Sequence, residues 1–194
     1  MDCNKVQLSI IIPVYNGANF LDEAIRSALS QTYNNIEIIV VNDGSDDNGE
    51  TERIAKQYGE KIKYFYKENG GVSSALNYGI RKMTGEWFSW LSHDDLYTPE
   101  KVAHSVDVVS NHLDTGKKLI VYTDGCLVRE NGAVIKPFKK YFDVGKIYSG
   151  LDAASIMTVN GALCGCCLLI PKEAFDEVGL FDESLRYCQD ALMW

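Results

Sequence analysis

Apolar residues along the first half of the chain fall into short continuous runs separated by helical patterns. Leu8–Val14 is a seven-residue apolar run closed by Pro13 and the turn-like Asn16-Gly17. Leu21, Ala24, Ile25, Ala28 and Leu29 follow at helical spacing, with Asn19 placed to cap the helix. Ile36–Val41 is a second buried-type strand, closed by Asn42-Asp43-Gly44, and a polar helix is expected around Glu50–Tyr58. Lys63–Tyr66 reads as a third strand, Val72–Met83 as a helix entered from Asn69-Gly70-Gly71, and Trp87–Leu91 as a fourth strand ending in Ser92-His93-Asp94-Asp95. Pro99 suits the first turn of a helix that runs to about Asn111. Leu119–Tyr122 is another apolar strand.

Strands without polar alternation, separated by helices, predict an α/β fold. Its central sheet is mostly parallel and flanked by helices on both faces. Such sheets place ligands beyond the carboxyl ends of their strands. Asn16, Asp43 and Asp94 all fall at such ends, which predicts one shared site.

The second half is less regular. Asn131-Gly132 predicts a hairpin between Cys126–Arg129 and Ala133–Ile135. Phe138–Tyr148 is aromatic and basic and carries no element signal. Ala153–Met157 suits a short helix, Leu163–Ile170 a strand, and Pro171 to Val178 a helix stopped by Gly179. Gln189–Trp194 opens a helix that the chain leaves after one turn, which predicts a piece of a longer protein, truncated at its C-terminus. The expected organisation is a single domain, with residues 1–98 as the nucleotide-binding half and 99–194 as the acceptor-side half.

Composition narrows the function. With 46% hydrophobic and 24% charged residues in 194, a folded globular domain is expected. A net charge of -8 disfavours nucleic acid as a partner. It leaves room for a small nucleotide whose diphosphate a cation neutralises. No apolar run approaches the roughly 20 residues of a membrane-spanning helix, and Met1–Lys5 has no signal pattern, so a cytoplasmic location is expected. Membrane association at the cytoplasmic face is left to parts outside this stretch. Six cysteines in a chain of this size without an export signal do not read as a disulfide framework. Cys164 and Cys167 have metal-ligand spacing, but no second tight Cys or His pair accompanies them. The apolar run around them favours core packing over zinc.

Four places carry candidate chemistry. Adjacent carboxylates at Asp94-Asp95 repel one another, and a hard cation shared with substrate phosphates relieves the repulsion. On its own such a pair reads more simply as a helix-entry loop; the position at a strand's carboxyl end, beside other such ends, reverses that in favour of the cation. Asp43 can accept a hydrogen bond from a base ring N–H, although an Asp-Gly turn needs no such role. Asn69-Gly70-Gly71 lets backbone approach a ligand and presents helix N–H groups to an anion, but a bare Gly-Gly is most often a loop. Asp190 could serve as a general base, although by itself it reads more simply as a surface or capping residue. His93, His104 and His112 show no ligand spacing. Neither a G-x-G-x-x-G nor a Walker-type loop is present.

In combination and in order, these segments resemble the inverting glycosyltransferase family 2, over nearly the whole chain. Ser9–Gly17 is similar to the family's opening strand and nucleotide loop. Gln31-Thr32-Tyr33 with Ile36–Ser45 is similar to its second strand and base-binding Asp, and Asn69–Asn77 to the next segment. Leu91-Ser92-His93-Asp94-Asp95 stands at its metal motif. Gly179–Glu183 followed by Gln189-Asp190 resembles the acceptor-side segment with the base. The resemblance implies a GT-A fold and transfer of a sugar, with inversion, from a nucleotide-diphosphate sugar to an acceptor hydroxyl on a glycan or lipid-linked molecule. A UDP-sugar is the expected donor, and Mn2+ or Mg2+ the expected cofactor. It implies that Pro13, Val14, Tyr15, Asn16, Asp43, Asn69, Gly71 and Asp94 bind the nucleotide. Asp95 then holds the metal, and Asp190 is the catalytic base. Two departures stand out: Ser92 replaces a frequent Asp, and Gln189 replaces a frequent acidic neighbour of the base. Two rival readings are a sugar-nucleotide nucleotidyltransferase and a non-catalytic nucleotide-sugar-binding module. The absence of Lys and Arg from Ile10–Gly17 counts against the first.

Overall fold

The computed structural model describes residues 6–112, 118–129, 132–138, 142–160 and 164–185. Strand β1 (Leu8–Val14) leads through helix α1 (Leu21–Leu29) to β2 (Ile36–Asp43), and α2 (Glu50–Lys56) leads to β3 (Lys63–Lys67). Helix α3 (Gly71–Lys82) then carries the chain to β4 (Trp87–Trp90), followed by α4 (Lys101–Ser110) and β5 (Val121–Tyr122). A hairpin of β6 (Cys126–Val128) and β7 (Val134–Pro137) stands apart from the main sheet. Helix α5 (Gly150–Asn160), strand β8 (Leu168–Pro171) and helix α6 (Lys172–Val178) follow.

The main sheet has the order β3-β2-β1-β4-β8-β5. The first four strands in that order are mutually parallel; β8 runs antiparallel to both β4 and β5. The sheet is thus mostly parallel, as the apolar runs imply, with one reversed strand among the later ones.

Alternate residues of β1 explain why its run is apolar apart from Ser9, whose buried hydroxyl donates to the Glu37 carboxylate. Leu8, Ile10, Ile12 and Val14 pack with Leu21, Ala24, Ile25 and Ala28 of α1 and Val102, Val106 and Val109 of α4. Ile11 faces the other way, with Ile39 and Val41 of β2, Ala75, Leu76 and Ile80 of α3, and Phe175 of α6. Each face is covered, so neither tolerates a polar side chain without a partner. Burying each such Ile or Leu contributes about 1.5–3 kcal/mol.

Two local expectations are corrected. Asn19 does not cap α1: the helix is entered through Phe20 with no side-chain cap, and the amides of Phe20 and Leu21 bond to the Gly17 carbonyl. A tight backbone turn therefore replaces the side-chain cap. The strand expected over Leu163–Ile170 begins only at Leu168, because Gly165–Cys167 form a 3-10 turn. Gly165 and Trp90 lie so close that a Cβ at residue 165 would collide with the indole ring, and the chain turns there before it joins the sheet.

Candidate active site

The strand order puts the carboxyl ends of β3, β2, β1 and β4 side by side along one edge. From β1 the chain proceeds to β2 and β3 on one side, while β4 lies on the other, so the crevice between β1 and β4 is the switch point where such sheets bind ligands.

Side chains tie the loops beyond these ends together. Asn16, at φ 51°, occupies the left-handed region that asparagine tolerates. Its side-chain amide donates to Asp46 Oδ1 at 2.6 Å, its side-chain oxygen accepts the Asp46 amide at 2.9 Å, and its own amide donates to Ser45 Oγ at 2.9 Å. Tyr15 is exposed beside it, its hydroxyl 3.4 Å from Asp46 Oδ1. Gly17 lies against the His93 ring and the Val14 side chain, and a Cβ there would collide with both. The β1 loop is thereby latched to the β2 loop on one side and packed on the β4 turn on the other.

Asp43 ends β2 and is buried. Its carboxylate accepts the Gly71 amide at 2.7 Å and the Gly70 amide at 3.1 Å, and pairs with Lys67 Nζ at 2.6 Å. The Asn69 side chain donates to the Asp43 carbonyl at 2.9 Å. Gly71 has φ 85°, a conformation that a Cβ would strain, and it brings two successive amides onto one carboxylate. Asp43 therefore organises the Asn69-Gly70-Gly71 entry to α3.

Beyond β4, Ser92–Asp95 form a tight turn closed by the Asp95 amide on the Ser92 carbonyl at 3.1 Å. Asp94 and Asp95 are both exposed. Desolvation pushes the Asp95 carboxyl upward, Cys166 pulls it down, and Cys164 and Asp94 add to the rise. Below the turn lies a polar knot. The Tyr97 hydroxyl donates to the Trp90 carbonyl at 2.5 Å and meets Ser89 Oγ at 2.7 Å. Lys101 donates to Ser89 at 2.8 Å and lies 4.0 Å from the centre of the Tyr97 ring. Burial lowers Lys101 to about 8.

The structure thus brings Tyr15, Asn16, Asp43, Asn69, Gly71, Asp94 and Asp95 to one edge. Pro13 and Val14 lie within β1 with their side chains buried in the sheet. Asp190 lies outside the described residues.

Sequence reasoning missed the neighbours of Asp95. Strand β8 pairs with β4 so that Trp87 opposes Pro171 and Ser89 opposes Leu169. Continuing this register sets Ser92 opposite Cys166. Cys166 Sγ indeed lies 3.4 Å from both the amide and the hydroxyl of Ser92. Cys167 is buried, as the core-packing reading expects, whereas Cys164 is half-buried; Cys166 is half-buried too and packs against the core. Hydrogen bonds from Cys166 and then Cys167 pull the Cys164 thiol well below its ordinary range, and the same contacts push the other two up. An antiparallel pairing between segments some 74 positions apart leaves no local signal. Asn77 is a second such residue. From α3 its side chain accepts the Phe181 amide at 3.0 Å and donates to the Phe181 carbonyl at 2.8 Å and to Glu183 at 2.9 Å. It docks Phe181–Glu183 on α3.

Residues 9–179 match the family described as Glycosyl transferase family 2. The chain belongs to that family. It is 55% identical over 187 residues to an uncharacterised glycosyltransferase of Rickettsia conorii, covering 96% of this chain and 30% of that protein. The family 2 chain thus spans under a third of this relative's length. Among solved structures it is similar to TarS 1-349 of S. aureus in complex with UDP, with TM-score 0.73 and 18% identity, covering 96% of this chain and 53% of that one. It is also similar to the mannosyltransferase PcManGT of Pyrobaculum calidifontis in complex with GDP-Man and Mn2+, with TM-score 0.65 and 18% identity, covering 98% of this chain and 52% of that one. These two share the GT-A fold with the family 2 chain. Among the described residues no helix is long and apolar enough to cross a membrane.

Proposed function

We propose that this family 2 chain binds a nucleotide-diphosphate sugar, with UDP as the nucleotide, and forms the donor side of an inverting glycosyltransferase. The observation that carries the reading is the convergence of Asp43 with its Gly70-Gly71 amides, and of Asp94-Asp95, on one edge of the sheet. Family membership supports transferase chemistry, and the UDP complex of the TarS neighbour supports the choice of nucleotide.

In this reading Tyr15 and Asn16 line the base and ribose end, and Asp43 with Asn69 and Gly71 closes it. Pro13 and Val14 contribute through their backbone at the strand end. Asp94 faces the ribose, and Asp95 holds a divalent cation, Mn2+ or Mg2+. The exposed Asp94-Asp95 pair fits such an ion: desolvation raises the Asp95 carboxyl and the Asp94 charge adds to the rise, and a bound cation would relieve that repulsion. When bound, the cation supplies charge neutralisation for the departing diphosphate. The PcManGT complex with Mn2+ supports this assignment. Asp190 takes the proton of the acceptor hydroxyl as the acceptor oxygen attacks the anomeric carbon and the bond to the diphosphate breaks. Glycan or lipid-linked hydroxyls are the acceptors.

The test is the anomeric configuration of the product. The full-length protein, given an α-linked UDP-sugar, should yield a β-linked product by NMR. An α-linked product would reject the single displacement, and release of inorganic pyrophosphate from a sugar phosphate and UTP would favour the nucleotidyltransferase.

A further inference from the structure

The cation position at Asp95 is bordered by sulfur as well as oxygen. One carboxylate oxygen of Asp95 and the Sγ atoms of Cys164 and Cys166 all lie within 4.8 Å of one another. Tetrahedral zinc with Zn–S of about 2.3 Å separates two sulfur ligands by about 3.8 Å, so small side-chain adjustments would bring these three atoms into ligand geometry. The backbone framework is already set. The β4–β8 register holds Cys166 against Ser92, and the Ser92–Asp95 turn holds the carboxylate on the same side. Asp95 is exposed, which leaves a fourth position open to water or a phosphate oxygen.

We propose that Asp95, Cys164 and Cys166 form a mixed carboxylate–thiolate site for a thiophilic divalent cation, Zn2+ above all, at the position where Mn2+ or Mg2+ would otherwise sit. The proposal rests on the reading of Asp95 as the cation-holding residue. Hard cations prefer oxygen, whereas thiolates select zinc and its chemical relatives. Cys164, held below its ordinary range, binds as the thiolate it already is, and Cys166 releases its thiol proton to solvent as the second metal–sulfur bond forms, with no oxidant or reductant required. Zn2+ and Mn2+ then compete for Asp95, and cysteine ligation gives zinc the advantage. Three protein ligands with one open position are the arrangement of zinc sites that keep a coordination place for substrate.

The experiment is a Co2+ titration of the reduced, metal-free chain, followed by ultraviolet and visible absorption. A sulfur-to-cobalt charge-transfer band should rise to one equivalent and vanish on addition of one equivalent of Zn2+. Cys164→Ser and Cys166→Ser should each weaken Co2+ binding by more than about a hundredfold, since loss of even an outer partner of a metal ligand costs about 10–100-fold. Cys126→Ser, on the exposed β6 strand, should leave the titration unchanged. The wild-type titration does not depend on any variant folding: no charge-transfer band overturns the site. Co2+ affinity and band intensity unchanged from wild type in both Cys164→Ser and Cys166→Ser also overturn it, because other cysteines must then be the ligands. UDP binding in Mn2+ separates this proposal from the donor reading. Missing charge transfer with Mn2+-dependent UDP binding intact rejects the thiolate site alone. A band that requires Cys164 and Cys166, together with UDP binding indifferent to Mn2+ and to Asp95→Ala, supports the thiolate site and rejects the metal part of the donor reading.

Discussion

At the scale of single residues, Asp43 and Gly17 do the most with the least. Asp43 joins a strand end, two glycine amides and Lys67 in one buried contact. Its removal leaves Lys67 without its carboxylate in a largely buried position, a kind of loss that costs about 3–5 kcal/mol. Asp43→Ala should therefore lower stability by that order in urea denaturation. Asp43→Asn keeps the side-chain size but sets an NH2 group against the N–H donors of Gly70, Gly71 or Lys67, so the α3 entry and the base contact weaken together; its UDP affinity should fall at least about tenfold, or about 1.4 kcal/mol. Unchanged affinity in a folded Asp43→Asn protein removes Asp43 from the nucleotide site. Gly17→Ala is a second probe. The added methyl meets the His93 ring and Val14, so the β1 loop and the Ser92–Asp95 turn must separate. A loss of about 1–3 kcal/mol is expected from such overpacking, with weakened nucleotide binding measured in parallel.

The elements show where a sequence speaks and where it is silent. Strands β1 to β4 and helices α1 to α4 were legible because their apolar periodicities differ and both sheet faces are covered. The edge carrying Asn16, Asp43 and Asp94 was legible for the same reason: parallel order follows from alternating strands and helices. The entry to α1 was misread, since Asn19 is a good cap by type while the Gly17 carbonyl takes that role through backbone geometry. The Cys164–Cys167 turn was misread because an apolar run of this length does not separate a strand from a turn wedged against Trp90. Glu37 on β2 escaped notice altogether. Burial would raise its carboxyl, but Lys63 at 2.5 Å, Ser9, and the amides of Thr84 at 2.5 Å and Gly85 at 3.0 Å outweigh that and lower it to about 2. The folded value lies below the ordinary 4.5, so the ionised form stabilises the fold. That contribution is complete above pH 4.5 and is lost as the pH falls towards 2. Glu37→Gln should cost about 1.5–3 kcal/mol at neutral pH and flatten the acid limb of stability against pH, as followed by thermal denaturation at stepped pH.

For the whole molecule, one sheet edge gathers residues from the first half while the Phe181–Glu183 segment of the second half docks on α3 through Asn77. Asp190 lies outside the described residues. In the full-length protein, Asp190→Asn should reduce turnover about a hundredfold to ten-thousandfold with UDP affinity retained. Near-normal turnover would reject Asp190 as base, and lost UDP affinity would assign it a structural part instead. The central claim, a cation-assisted nucleotide-diphosphate site on the carboxyl edge, is tested most directly by calorimetric titration of UDP into this chain. The titration is run in Mn2+ and in excess chelator, for wild type and Asp95→Ala. The account predicts binding in Mn2+ that chelator and Asp95→Ala weaken to the same degree. Equal UDP affinity under all four conditions, or no UDP binding under any of them, would contradict it.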